Sequence, residues 1–258
     1  MQPMDLSTLN LPAALSDWIG DARAYESSGC SGAQTLLIDR DGGAFLKIAP
    51  KGALQRSAEM QAFWAEKGLS ARVLMFCSED RDFLLTEPVP GKSGVAPENI
   101  ADPERLSALF GRSLRALHDC DASGCPVQNK MDEFLSANQS WTFNQEHLDL
   151  IAPYIGPARA ESAREELENG RNLLQTDALI HGDCCLPNIM IHNWELTGWI
   201  DVGDSGLGDR HYDLAWGLWT LCYNLKKPRF GEIFLDAYGR DKIDARLLRL
   251  CGLLAGMN

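Results

Sequence analysis

His181-Gly-Asp-Cys-Cys-Leu-Pro-Asn188 places an imidazole, a carboxylate, two thiols and an amide within eight residues. That much polar chemistry is compatible with a metal site, a thiol site or a catalytic loop. Structural zinc needs three or four Cys, His or carboxylate ligands around one ion, and adjacent cysteines such as Cys184 and Cys185 seldom both face it. A nucleophilic cysteine needs a nearby base and a positive environment, and nothing in the spacing turns His181 towards either sulfur.

The third reading draws on the residues downstream. Asp183 and Asn188 lie in a loop that leads into an apolar run at 189–192, and after a tight connection a second run at 197–200 delivers Asp201 beside Gly203. A hairpin of these two runs gathers two carboxylates and an amide. Phosphoryl transfer needs such a set: one carboxylate orients the attacking hydroxyl, while an amide oxygen and another carboxylate hold Mg²⁺ on nucleotide phosphates. Singly, each of the three residues reads equally as a turn or cap residue; the order and spacing of all three are what carry weight.

The same chemistry needs a cation and a covering loop, and both are found upstream. Lys47 sits in the middle of the apolar run AFLKI, where a lysine is functional or snorkels to the surface. The stretch 28–33, Ser-Gly-Cys-Ser-Gly-Ala, is small enough for its backbone N–H groups to approach phosphate oxygens, although a plain hairpin turn explains it too.

Periodicity changes near residue 90. Before it, short apolar runs at 35–39, 44–48, 72–76 and 83–86 predict strands, with one helix at 54–67. After the turn Val89-Pro90-Gly91 the chain reads as helical: 103–118 carries Leu106, Leu109, Phe110, Leu114 and Leu117 at three- and four-residue spacings. Further helices are expected at 130–139, 145–152, 161–175, 209–225 and 241–254, with short strands at 178–181, 189–192 and 197–201. The expectation is an α+β chain with a small sheet-rich lobe, 1–89, followed by a larger helical one, 90–258.

Bulk properties agree with an ordinary globular protein. The 258 residues are 45% hydrophobic and 23% charged, and no apolar run approaches the roughly 18 residues that span a bilayer. The opening MQPMDLSTLN has neither a basic start nor a continuous apolar segment, so a cytoplasmic location is expected. The eight cysteines are scattered, without a CxxC pair, and read as reduced and mostly buried. A net charge of −12 disfavours nucleic acid and anionic membranes as partners, and suits a cationic one or simple solubility.

Over nearly its whole length the chain resembles the aminoglycoside 3'-phosphotransferases, resistance kinases with a two-lobed protein-kinase-like fold. HGDCCLPNIMI is similar to their catalytic loop, GWIDVGDSGLGDRHYDLAW to their metal-binding segment and the helix after it, and GCSGA with AFLKI to their phosphate loop and lysine strand. The resemblance implies ATP or GTP as phosphate donor, Mg²⁺, and a cationic aminoglycoside acceptor such as kanamycin, phosphorylated at its 3'-hydroxyl by a monomer or homodimer. Carried over residue by residue, Asp183 is the catalytic base, Asn188 and Asp201 bind Mg²⁺, Lys47 contacts the α- and β-phosphates, and Ser31 lies under the phosphates. The Glu87 carbonyl and the Val89 N–H read the purine edge, since Pro88 has no N–H to offer. His181 braces the loop, Asp213 supports it by hydrogen bonding, Trp216 is core, and Cys184 and Cys185 are packing residues.

Two departures stand out. The family pairs its lysine with a glutamate on the first-lobe helix; the matching position here is Ser57, and Glu59 lies about 200° further round the helix. Family members also match ammonium groups with acids near the C-terminus, whereas residues 248–258 contain none and position 186, acidic in some relatives, is Leu. Asp204, Asp149, Glu146 and Asp132 are the remaining sources of negative charge. These departures keep two alternatives open, a kinase of another hydroxylated metabolite or antibiotic and a weakly catalytic nucleotide-binding module.

Overall fold

The computed structural model describes residues 2–27, 33–137 and 142–257. It divides into two compact units, Met1–Pro90 with Gly198–Gly203, and Gly91–Thr197 with Asp204–Asn258.

The first unit holds β1 (Gln2–Met4), α1 (Ala13–Ile19), β2 (Arg23–Ser27), β3 (Gln34–Asp39), β4 (Ala44–Pro50), α2 (Gln55–Glu66), β5 (Val73–Ser78) and β6 (Arg81–Thr86). The strands form one sheet in the order β1-β2-β3-β4-β6-β5, with antiparallel neighbours throughout. Strand alternation sorts its two faces. Leu36, Ile38, Leu46, Ile48, Phe83 and Leu85 turn to one side and pack with Leu15 and Ile19 of α1; each such burial contributes about 1.5–3 kcal/mol. Ala49 and Leu84 turn to the other side, against Leu54 and Ala58 at α2. Lys47, between Leu46 and Ile48 and paired with Thr35 and Leu84, therefore shares the α2 face.

The second unit contains β7 (Lys92–Ser93), α3 (Pro97–Ile100), α4 (Pro103–His118), α5 (Lys130–Ala137), α6 (Gln145–Ile155), α7 (Ala160–Gly170), β8 (Ala178–Ile180), β9 (Ile189–His192), β10 (Glu195–Trp199), β11 (Gly206–Gly208), α8 (Arg210–Leu225), α9 (Arg229–Tyr238) and α10 (Ala245–Ala255). β9 lies between β10 and β7, and β8 pairs antiparallel with β11. The last residues of β10 pass into the first unit's cluster.

α4 occupies the span its periodicity predicts. α9 was not expected, although Phe230, Phe234, Leu235 and Tyr238 are buried at helical spacing; Gly231 in its first turn and the Pro228 before it disguise the pattern. The short β1, β7, β11 and α3 carry too few residues to show a period, and β2 and α1 were also not expected. The helix expected at 161–175 ends at Gly170 and finishes in a single 3₁₀ turn, Arg171–Leu173.

Candidate active site

Asp183 is placed by burial. Strand β8 is buried along its length and runs into Gly182, whose φ of +84° belongs to the left-handed region. A side chain there is doubly excluded, because a Cβ would lie 2.2 Å from the Asp204 carbonyl oxygen. The fully buried Asp213 carboxylate on α8 accepts from the His181 N–H at 2.6 Å and from the Gly182 N–H at 3.0 Å. His118 of α4 bridges the same carboxylate, at 3.2 Å, to the Tyr238 hydroxyl of α9, at 2.9 Å. Three helices thus converge on two backbone amides, and an uncompensated buried charge would be the cost of breaking the set.

Beyond the turn, the Asp183 N–H donates to His181 Nδ1 at 3.2 Å, so His181 braces the loop. Asn188 donates its amide to the Asp183 carbonyl and to Oδ2, both at 2.9 Å, and the Leu186 N–H is received by the Thr220 hydroxyl at 3.2 Å. The orientation assigned to the Asn188 amide directs its nitrogen at Asp183 and leaves its carbonyl oxygen as the end able to meet a cation. Cys184 and Cys185 are buried, and burial first, with Asp183 and Asp213 adding repulsion, pushes both thiols well up. Neither is a thiolate at neutral pH, which removes the nucleophilic-cysteine reading.

In the first unit, Lys47 Nζ pairs with the Asp201 carboxylate. The segment bearing Asp201 is fastened by the Trp199 N–H to the Leu69 carbonyl at 2.9 Å, by the Ser70 hydroxyl to the Trp199 carbonyl at 2.6 Å, and by an edge contact of Trp64 with Trp199. Asp201 itself adopts φ +58°, uncommon for a residue with a side chain and a local strain that its surroundings must maintain. Glu59 is exposed and accepts from Gln55 at 2.7 Å, so it does not replace the glutamate missing at Ser57.

At the end of β6 the ladder closes with the Glu87 N–H on the Arg72 carbonyl, leaving the Glu87 carbonyl and Val89 N–H beyond it. The Glu87 carboxylate is committed to Arg72, whose guanidinium holds it below the usual carboxylate range. Ser31 and the rest of 28–32 lie outside the described residues.

The donor chemistry fits a hard divalent cation. Among the described residues no three His, Cys, Asp or Glu side chains gather into a metal-holding group, but Mg²⁺ takes one or two protein ligands and completes its shell with phosphate oxygens and water. Asp201 in the first unit carries a carboxylate and Asn188 in the second an amide oxygen, the donor types such an ion accepts.

The Phosphotransferase enzyme family pattern matches residues 26–250. The chain belongs to that family. A probable aminoglycoside 3'-phosphotransferase of Lactococcus lactis is 37% identical over 254 residues, covering 98% of this chain and 97% of the relative. A crystal structure of a type VIII aminoglycoside-3'-phosphotransferase superposes with a TM-score of 0.72 at 27% identity, covering 93% of this chain and 95% of the other. An aminoglycoside phosphotransferase of Streptomyces rimosus, solved with ADP and streptomycin, shares the fold at a TM-score of 0.65 and 20% identity, over 98% and 99% of the two chains. The α+β, two-lobed kinase-like architecture and the assignment as an enzyme follow from this membership.

Sequence reasoning missed several residues that hold the candidate groups: His118, Thr220 and Tyr238 behind the 181–188 loop, and Ser70 and Trp199 behind Asp201. His118 had a visible signal, a polar side chain on the apolar face of α4. Of the acids considered for an acceptor, Asp204 is exposed but lies 3.6 Å from the buried Lys130, Asp149 accepts from Gln145, and Asp132 accepts from Asn129. Trp216, expected in the core, is half-buried.

Proposed function

We propose that the protein transfers the γ-phosphate of ATP or GTP to a hydroxyl of an aminoglycoside such as kanamycin, the 3'-hydroxyl, and so confers resistance. What carries the reading is the 37% identity over nearly the whole of a probable aminoglycoside 3'-phosphotransferase, together with the intact set Asp183, Asn188, Lys47 and Asp201. Asp183 orients the acceptor hydroxyl and takes its proton as the oxygen bonds to phosphorus and the bond to the β-phosphate oxygen breaks. Lys47 donates to the α- and β-phosphate oxygens, Ser31 covers them, and the Glu87 carbonyl and Val89 N–H receive the base. Asn188 and Asp201 hold Mg²⁺, which when bound offsets the phosphate charge. The surplus of acid over base in the chain favours a cationic acceptor. No described helix is long and apolar enough to cross a membrane, and a nucleotide-consuming enzyme of this kind works in the cytoplasm.

The test is coupled release of ADP or GDP by purified protein with Mg²⁺, with and without kanamycin. Kanamycin-dependent release is expected; nucleotide binding without it would move the reading to another acceptor. That second reading, a kinase of a different hydroxylated antibiotic or metabolite, is favoured by one observation, the lack of any acid in residues 248–258. An acceptor panel in the same assay separates the two.

A further inference from the structure

A lysine that serves phosphates has a long, flexible side chain, and something must hold it in place before the nucleotide arrives. Protein kinases use a helix glutamate. Here α2 offers Ser57 and an outward-facing Glu59, while Lys47 is paired with Asp201. The reason is visible in how closely α2 meets the turn that follows Asp201. A Cβ added to Gly203 would lie 2.5 Å from Ser57 Oγ and 3.2 Å from Ser57 Cβ. The turn is seated on Ser57, and only a small residue at 57 facing a glycine at 203 permits it. Asp201, strained at φ +58°, is the residue this seating presents to the α2 face of β4, where alternation puts Lys47.

We infer that Ser57 is a positioning residue of the phosphate site, and that through its seat on Gly203 the Asp201 carboxylate holds Lys47 in place of the missing helix glutamate. This rests on the nucleotide-kinase reading above. One carboxylate then has two duties. While the carboxylate is paired with the Lys47 ammonium, a divalent cation binds weakly. With cation and nucleotide both bound, Asp201 would hold the cation and Lys47 would be released to the phosphates. Each ligand removes the obstacle to the other, which is positive coupling and is reciprocal.

The experiment is calorimetric titration of the full chain with ADP, with and without MgCl₂, on the wild type, Ser57→Ala and Ser57→Glu. Mg²⁺ should tighten ADP binding roughly ten-fold in the wild type and in Ser57→Ala, which keeps the seat. In Ser57→Glu, which unseats the turn and offers Lys47 another carboxylate, the gain should fall to about two-fold; an undiminished gain overturns the inference. Lys47→Met gives an independent reading should Ser57→Glu fail to melt cooperatively. Without nucleotide, its affinity for Mn²⁺, followed by electron paramagnetic resonance, should be about three-fold tighter than that of wild type, because the competing ammonium is gone. Equal or weaker Mn²⁺ binding overturns the inference. Wild-type protein that binds no ADP even with Mg²⁺ overturns the kinase reading itself, an outcome separable from the Mn²⁺ comparison.

Discussion

Asp183 in the second unit and the Lys47–Asp201 pair in the first are held by opposite physics. Asp183 is fixed from behind: the Asp213 carboxylate, fully buried, binds two consecutive loop amides and is itself held by His118. Lys47 and Asp201 hold each other, with 29% and 46% of their side chains exposed. A buried network is costly to disturb and keeps one geometry, whereas an ion pair open to water is worth about 0–1 kcal/mol and exchanges partners readily. Under the proposed function, orienting a hydroxyl calls for the first, and receiving and releasing a nucleotide for the second.

Four measurements break or sharpen that contrast. Asp183→Ala should lower kcat by roughly 10²–10⁴-fold while leaving ADP affinity unchanged by calorimetry, since its proposed role is toward the acceptor and not the donor; an active variant would remove Asp183 as base. Gly182→Ala forces a left-handed turn on a side chain and drives it into the Asp204 carbonyl, and should cost about 3 kcal/mol, read as a melting temperature lower by about 6–12 °C.

His147 tests burial in the same unit. It stacks on Trp219, its Nε2 is buried with no hydrogen-bond partner among the described residues, and burial lowers its pKa to about 4. The unfolded chain takes up a proton at this residue near pH 6.5 and the folded one resists it, so stability should fall between pH 6.5 and 4, by at most about 3 kcal/mol. Melting curves across that window should be flatter for His147→Phe than for wild type. Smallest of all, Lys47→Met should shift stability by less than about 1 kcal/mol even though it removes the proposed phosphate contact. A drop matching that of Gly182→Ala would erase the distinction between the two.

Much of this was legible in the sequence. The change of period near residue 90 marks where sheet gives way to helix, and α4 and β4 lie where alternation and helical spacing put them. The β9–β10 hairpin that follows HGDCCLPN was legible too, because two short apolar runs joined by a tight connection have few other ways to pair. Lys47 betrayed itself by interrupting an apolar strand. α9 was hidden by a glycine and a proline at its start, and strands of two or three residues have no period to read.

What the sequence by itself determined, then, is the set of chemical groups and their order, since local periodicity and turn chemistry act over a few residues. What only the tertiary structure decided is who holds them. The partner of Lys47 lies 154 positions away, and Asp213 is 31 and 32 positions from the amides it binds. Ser57 reads as a gap on α2 until Gly203 is seen against it. Such pairings depend on which surfaces are buried together, and no spacing along the chain encodes that.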